Sequence, residues 1–155
     1  MRNIARCDRV VVVPRFEELV SYIADIQTKD SAKEEGYKKN LFVLTAMSNF
    51  CGRKYPMTIV ERLQRRLGTS WAICLDAAAL LGCSKLDLSS QTGQQPDFVV
   101  LSFYKIFGYP TGLGALLVRR SSAQLLKKHY FGGGAVEFAG VNKTCVKYRD
   151  DISHR

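Results

Sequence analysis

No apolar run in the 155-residue sequence approaches the roughly 18 residues that a membrane-spanning helix needs. A membrane is therefore not expected as a partner. The start, MRNIARCDRVVVVPRFEE, is basic, but its apolar centre is only four valines. Pro14, Arg15 and two glutamates follow. That is not a secretory signal, and a cytoplasmic location is expected. Histidine is scarce: His129 and His154 are the only two, and neither has a partner at metal-ligand spacing. No metal site is expected. The five cysteines (Cys7, Cys51, Cys74, Cys83 and Cys145) are odd in number and form no C-x-x-C pair. Free thiols in a reducing compartment are expected. Repeats and low-complexity tracts are also missing.

Like charges do not cluster. The net charge is +9, from 23 Lys and Arg against 14 Asp and Glu. Such an excess raises the question of a polyanionic partner. The charge is spread over both halves, and no five like charges adjoin. No RNA-recognition, zinc-finger or basic-zipper pattern occurs. Nucleic acid is not expected as a partner. What is present suits one globular domain: 46% hydrophobic and 24% charged residues, which excludes whole-chain disorder.

Short apolar runs alternate with helical patterns. Val10–Val13, Leu41–Leu44, Trp71–Leu75, Phe98–Phe103 and Gly114–Val118 read as strands. Their continuous apolar character predicts burial on both faces. Phe16, Leu19, Val20, Ile23 and Ala24 place one stripe on a helix over residues 16–26. Ile59, Val60, Leu63 and Leu67 do the same behind Pro56, with Gly68 as the stop. Ser122–Tyr130 predicts a short helix, and Gly132–Gly134 a turn. Residues 136–155 show no periodicity. Alternation of this kind predicts an α/β fold with a mostly parallel sheet and flanking helices.

Open α/β sheets bind ligands at the carboxyl ends of their strands. Ser48-Asn49 follows the second run, Asp76 the third, and Ser102, Tyr104 and Lys105 the fourth. Asp76 reads either as a local cap or as the carboxylate partner of a cationic group. Lys105 lies among Phe103, Tyr104, Ile106 and Phe107. It reads either as a lysine snorkelling from an apolar patch or as a desolvated amine able to attack an aldehyde. Together the two meet the needs of pyridoxal 5'-phosphate, with a lysine for its aldehyde and a carboxylate for its ring nitrogen.

The stretch LDAAALLGCSKLDLSS…PDFVVLSFYKIFGYPTGLGALLVRRSSAQLLKKHYFGGG resembles the class V aminotransferases, the cysteine desulfurase group in particular. More narrowly, SFYKIFGYPTGLGALLVRR, with NLFVLTAMSNFCGRKYP upstream, resembles the N-terminal domain of the molybdenum cofactor sulfurase family. The resemblance is best over residues 40–135. It implies the large domain of the fold type I pyridoxal-phosphate-dependent transferases, in incomplete form. It implies Lys105 as the catalytic lysine that holds the cofactor and Asp76 as the partner of its ring nitrogen. Asn49 then contacts the phenolic oxygen, and Ser102 and Tyr104 the phosphate. Ala79 stands where desulfurases often have glutamine, so one ring-oxygen contact is lost. It further implies L-cysteine and the molybdenum cofactor as partners of the complete enzyme, and a homodimer. Residues 1–40 contain nothing like the family's phosphate loop or ring-stacking residue. Neither the substrate-carboxylate arginine nor the persulfide cysteine has a match. Residues 1–155 thus read as a partial cofactor-binding domain of a sulfurtransferase, inactive alone. The alternative is a non-catalytic remnant of the fold that serves as an interaction protein.

Overall fold

The computed structural model describes residues 11–13, 15–29, 40–89, 95–108, 112–126, 132, 134–141 and 145–150. Four strands form the main sheet: β1 (Asn40–Thr45), β2 (Trp71–Asp76), β3 (Phe98–Ser102) and β4 (Gly114–Val118). Their spatial order is β1-β2-β3-β4. The first three run parallel, and β4 runs antiparallel to β3. The expected mostly parallel α/β arrangement is therefore what forms. The register sets Thr45 beside Asp76 and Asp76 beside Val100, so these strands end along one rim.

Helix α2 (Thr58–Leu67) covers one sheet face because its apolar residues recur every three or four positions. Ile59, Val60, Leu63 and Leu67 are buried, while Arg62, Arg65 and Arg66 are exposed. Burying a leucine such as Leu63, which is 0% exposed, contributes roughly 1.5–3 kcal/mol. The Pro56 carbonyl accepts the Ile59 N–H, and the helix begins two residues after the proline. Gly68 ends it at φ +64°, a conformation costly for residues with a Cβ. Helix α1 (Phe16–Lys29) adds buried Leu19 to the same core, with Phe16, Tyr22 and Ile23 packed against it. Ala24, expected on that stripe, is exposed.

Burial on both faces holds only in part: among the described residues, Ala72 and Phe98 are buried on the face opposite Ile73 and Val99. Phe42, Leu44, Ile73, Leu75 and Val99 face α1 and α2, whereas Leu41, Val43, Val100 and Leu116 are exposed. Alternate side chains leave a strand on opposite faces, and the two helices cover only one of them.

Three sequence expectations meet corrections. Val11–Val13 form no strand, because they lead into α1 without a strand neighbour; Val13 packs on the core, and Val10 lies outside the described residues. The Phe98–Phe103 strand stops at Ser102, where the five-residue helix α3 (Phe103–Phe107) begins. The helix expected from Ser122 is a 3-10 turn over Arg120–Leu125, with Lys127–Tyr130 outside the described residues. The unexpected elements are β5 (Val136–Ala139) and β6 (Val146–Tyr148), an antiparallel pair. Ahead of it, the Gly132 carbonyl accepts the Ala135 and Val136 N–H groups, as in a turn; Gly133 lies outside the described residues. No helix among the described residues is long and apolar enough to cross a membrane.

Candidate cofactor site at the strand rim

Asn49 sits at the tip of a hairpin that leaves β1. The Tyr55 N–H donates to the Ala46 carbonyl, and the Ser48 N–H to the Arg53 carbonyl, both at 2.9 Å. The Ser48 hydroxyl accepts the N–H groups of Phe50 and Cys51, at 3.3 Å each. These bonds replace the ladder that a continuing strand would have made.

Lys105 comes from the opposite side of the rim, on α3. Its ammonium donates to Asn49 Oδ1 at 2.7 Å in an exposed contact, joining positions 56 residues apart. Lys105 Nζ also lies 5.8 Å from the Tyr104 ring centroid, within cation–π range. Behind α3, a 3-10 turn (Leu80–Gly82) packs against the Lys105 backbone. A Cβ at Gly82 would lie 2.7 Å from the Lys105 carbonyl oxygen, so only glycine permits this approach.

Ser102 ends β3 and caps α3 with extended backbone, φ −125° and ψ 119°. Its hydroxyl makes no cap bond, which leaves it for another acceptor or donor. Opposite it, a Cβ at Gly114 would lie 2.6 Å from the Leu101 carbonyl oxygen, so β4 also approaches closely only through glycine. Tyr104 is part-exposed beside Lys105.

Asp76 ends β2 and is half-buried. Its Oδ1 accepts the Ala78 N–H at 3.0 Å, the local cap that the simpler reading anticipates. Among the described residues, its other oxygen accepts no hydrogen bond, and no bond or ion pair joins Asp76 to Lys105. The structure thus brings Asn49 and Lys105 into contact. It sets Asp76 and Ser102 on the same rim through strand register, with the Ala77 N–H bonded to the Val100 carbonyl.

Two thiols near this rim differ. Cys51 is exposed, and the Ser48 hydroxyl, then the Arg53 backbone N–H, hold it below the usual thiol range. Cys74, half-buried in β2, is pushed up by burial and then by the Asp76 charge. Sequence reasoning missed the supports. Arg53 reaches α1, Lys54 Nζ donates to the Ser84 hydroxyl, and Asp97 accepts the Ile73 N–H at 2.8 Å and the Ser122 hydroxyl. Each is a single polar residue in a loop, and only the partner distant in sequence gives it meaning.

The aminotransferase class-V family model matches residues 23–151. A molybdenum cofactor sulfurase of Caenorhabditis elegans is 59% identical over 98 residues, covering 63% of this chain and 13% of the relative. Molybdenum cofactor sulfurase 3 of Aedes aegypti is 43% identical over 161 aligned positions, covering 100% of this chain and 20% of the relative. The chain therefore spans a fifth or less of the lengths of these two relatives. The apo structure of a cysteine desulfurase from Thermococcus onnurineus NA1 superposes with a TM-score of 0.57 at 20% identity. It covers 81% of this chain and 29% of that one, a likeness of fold. By the extent of the family match, this chain belongs to the aminotransferase class-V family.

Proposed function

We propose that these residues are the cofactor-holding part of a pyridoxal-phosphate-dependent sulfurtransferase. In the complete protein, sulfur would move from L-cysteine to the molybdenum cofactor. A homodimer in the cytoplasm is part of the same reading. The observation that carries it is the Lys105–Asn49 contact on the rim that also bears Asp76. It is supported by similarity to molybdenum cofactor sulfurases.

The donor set suits pyridoxal 5'-phosphate: an amine, an amide, a carboxylate with one oxygen open, and the Ser102 hydroxyl free of a cap bond. When bound, that cofactor supplies an electrophilic aldehyde and an electron-withdrawing ring. Lys105 is the nucleophile for the aldehyde, and it must give up a proton first. Asn49 already orients the amine, and its amide can turn its N–H donors to the phenolic oxygen. The open oxygen of Asp76 favours a protonated ring nitrogen through its charge. Ser102 and Tyr104 offer hydroxyls to the phosphate.

The test is reconstitution with pyridoxal phosphate, borohydride reduction and peptide mapping. The expected result is one adduct, on Lys105, lost in Lys105→Ala and kept in Lys85→Ala. An adduct mapped to any other lysine overturns the assignment.

A further inference from the structure

We propose that Arg53 is a positioning residue, whose side chain clamps the Asn49 hairpin onto helix α1 and so keeps Asn49 against Lys105. This inference rests on the reading of the rim as the cofactor site. The hairpin's own hydrogen bonds fix its shape but not its orientation toward α3. Orientation requires ties to other elements, and Arg53 makes one to α1.

Its Nη1 donates to Glu17 Oε1 at 3.1 Å. Its guanidinium carbon lies 5.5 Å from the Phe16 ring centroid and 5.9 Å from that of Tyr55. The two rings stack on each other at 4.8 Å. A planar cation over two aromatic faces, with a carboxylate at its edge, uses guanidinium geometry that lysine cannot copy. The neighbouring Lys54 reaches the other way, to Ser84 beyond the turn that supports Lys105. Successive residues of an extended segment point to opposite sides, so the pair braces the hairpin from both flanks. Phe16 and Glu17 precede residues 23–151, the stretch the family model matches.

The experiment reads Lys105 in the cofactor-free chain. Reductive methylation followed by mass spectrometry gives the labelling rate of each lysine. A single hydrogen bond contributes about 0.5–1.5 kcal/mol net, so losing it should speed labelling of Lys105 roughly two- to tenfold. Arg53→Ala should produce that rise when Asn49 is present and none in an Asn49→Ala background, because Arg53 acts through Asn49. Lys85 serves as the internal reference. An unchanged rate, or an equal rise in both backgrounds, overturns the proposal. If Arg53→Ala does not fold, Phe16→Leu removes a ring beneath the guanidinium and is judged by the same cycle. The cofactor reading fails separately. A trapped adduct missing from Lys105 with the cycle intact overturns that reading and leaves the clamp standing; an adduct on Lys105 with the cycle flat does the reverse.

Discussion

Replacing Gly82 by alanine should disturb Lys105 without touching its side chain. The added methyl would sit 2.7 Å from the Lys105 carbonyl oxygen, where ordinary contact begins near 3.4 Å. The turn and α3 must then part by about 0.7 Å. Both sides of this contact are main chain, so no side chain can swing away to relieve it. Overpacking of this kind costs about 1–3 kcal/mol, partly offset by the smaller backbone freedom of alanine in the unfolded chain. A net loss near 1–2 kcal/mol lowers Tm by about 2–8 °C in a chain of this size. The same displacement, passed to the 2.7 Å Lys105–Asn49 bond, carries it past the ~3.2 Å limit of an effective N–H···O contact. Circular dichroism melting reads the first effect, and lysine methylation with mass spectrometry reads the second. Gly134→Ala is the control, since a Cβ there meets nothing within 4 Å. Should Gly82→Ala melt with Gly134→Ala and leave Lys105 labelling unchanged, the packing of turn against helix is refuted.

Leu63→Ala, at a wholly buried site between α2 and the sheet, should cost about 2–5 kcal/mol in urea unfolding, whereas Arg62→Ala should stay within ~0.5 kcal/mol. Cys51 should react with iodoacetamide faster than Cys74 at neutral pH. Its lowered pKa puts its reactivity rise at lower pH, and the raised value of Cys74 delays that rise to higher pH; coincident profiles would refute the assigned causes. Asp97→Ala strands the Ile73 N–H at the start of β2 and should cost about 1–3 kcal/mol by the same unfolding assay.

Where the sequence was legible, packing left a simple period. Ile59, Val60, Leu63 and Leu67 repeat with the helical turn, and all four are buried. Leu41–Leu44, Trp71–Leu75 and Gly114–Val118 are apolar runs of strand length, and each lies within a strand. The boundary at Ser102 was not legible, because FVVLSFYKIF is apolar and aromatic on both sides of it. Hydrogen bonding decides it instead. The Phe103 N–H takes the Leu113 carbonyl, β4 begins opposite Ser102, and Gly108 closes α3 at φ +67°. The β5–β6 pair escaped for a related reason. Phe138 and Val146 are exposed, so no buried face imposes alternation on those residues. At the rim, topology foretold that Asn49, Asp76 and Lys105 share one edge of the sheet, but the Asn49–Lys105 bond had no sequence signal, since 56 residues separate the two. The Arg53 clamp was invisible, because its carboxylate partner Glu17 lies 36 residues away on α1.

The reversal of β4 divides the molecule into two zones of tolerance. Parallel β1, β2 and β3 deliver their carboxyl ends to the rim, while β4 starts there and carries the chain away. Arg119 and the 3-10 turn after it therefore lie at the far end of the sheet, tied to Asp97 rather than to Lys105. A fluorophore placed at exposed Gln124 would report on unfolding of the sheet while leaving Asn49, Asp76 and Lys105 chemically as they are. The same label near Leu113 would sit where β4 leaves the site. Strand direction, more than distance along the chain, thus decides where this protein can be instrumented without being altered.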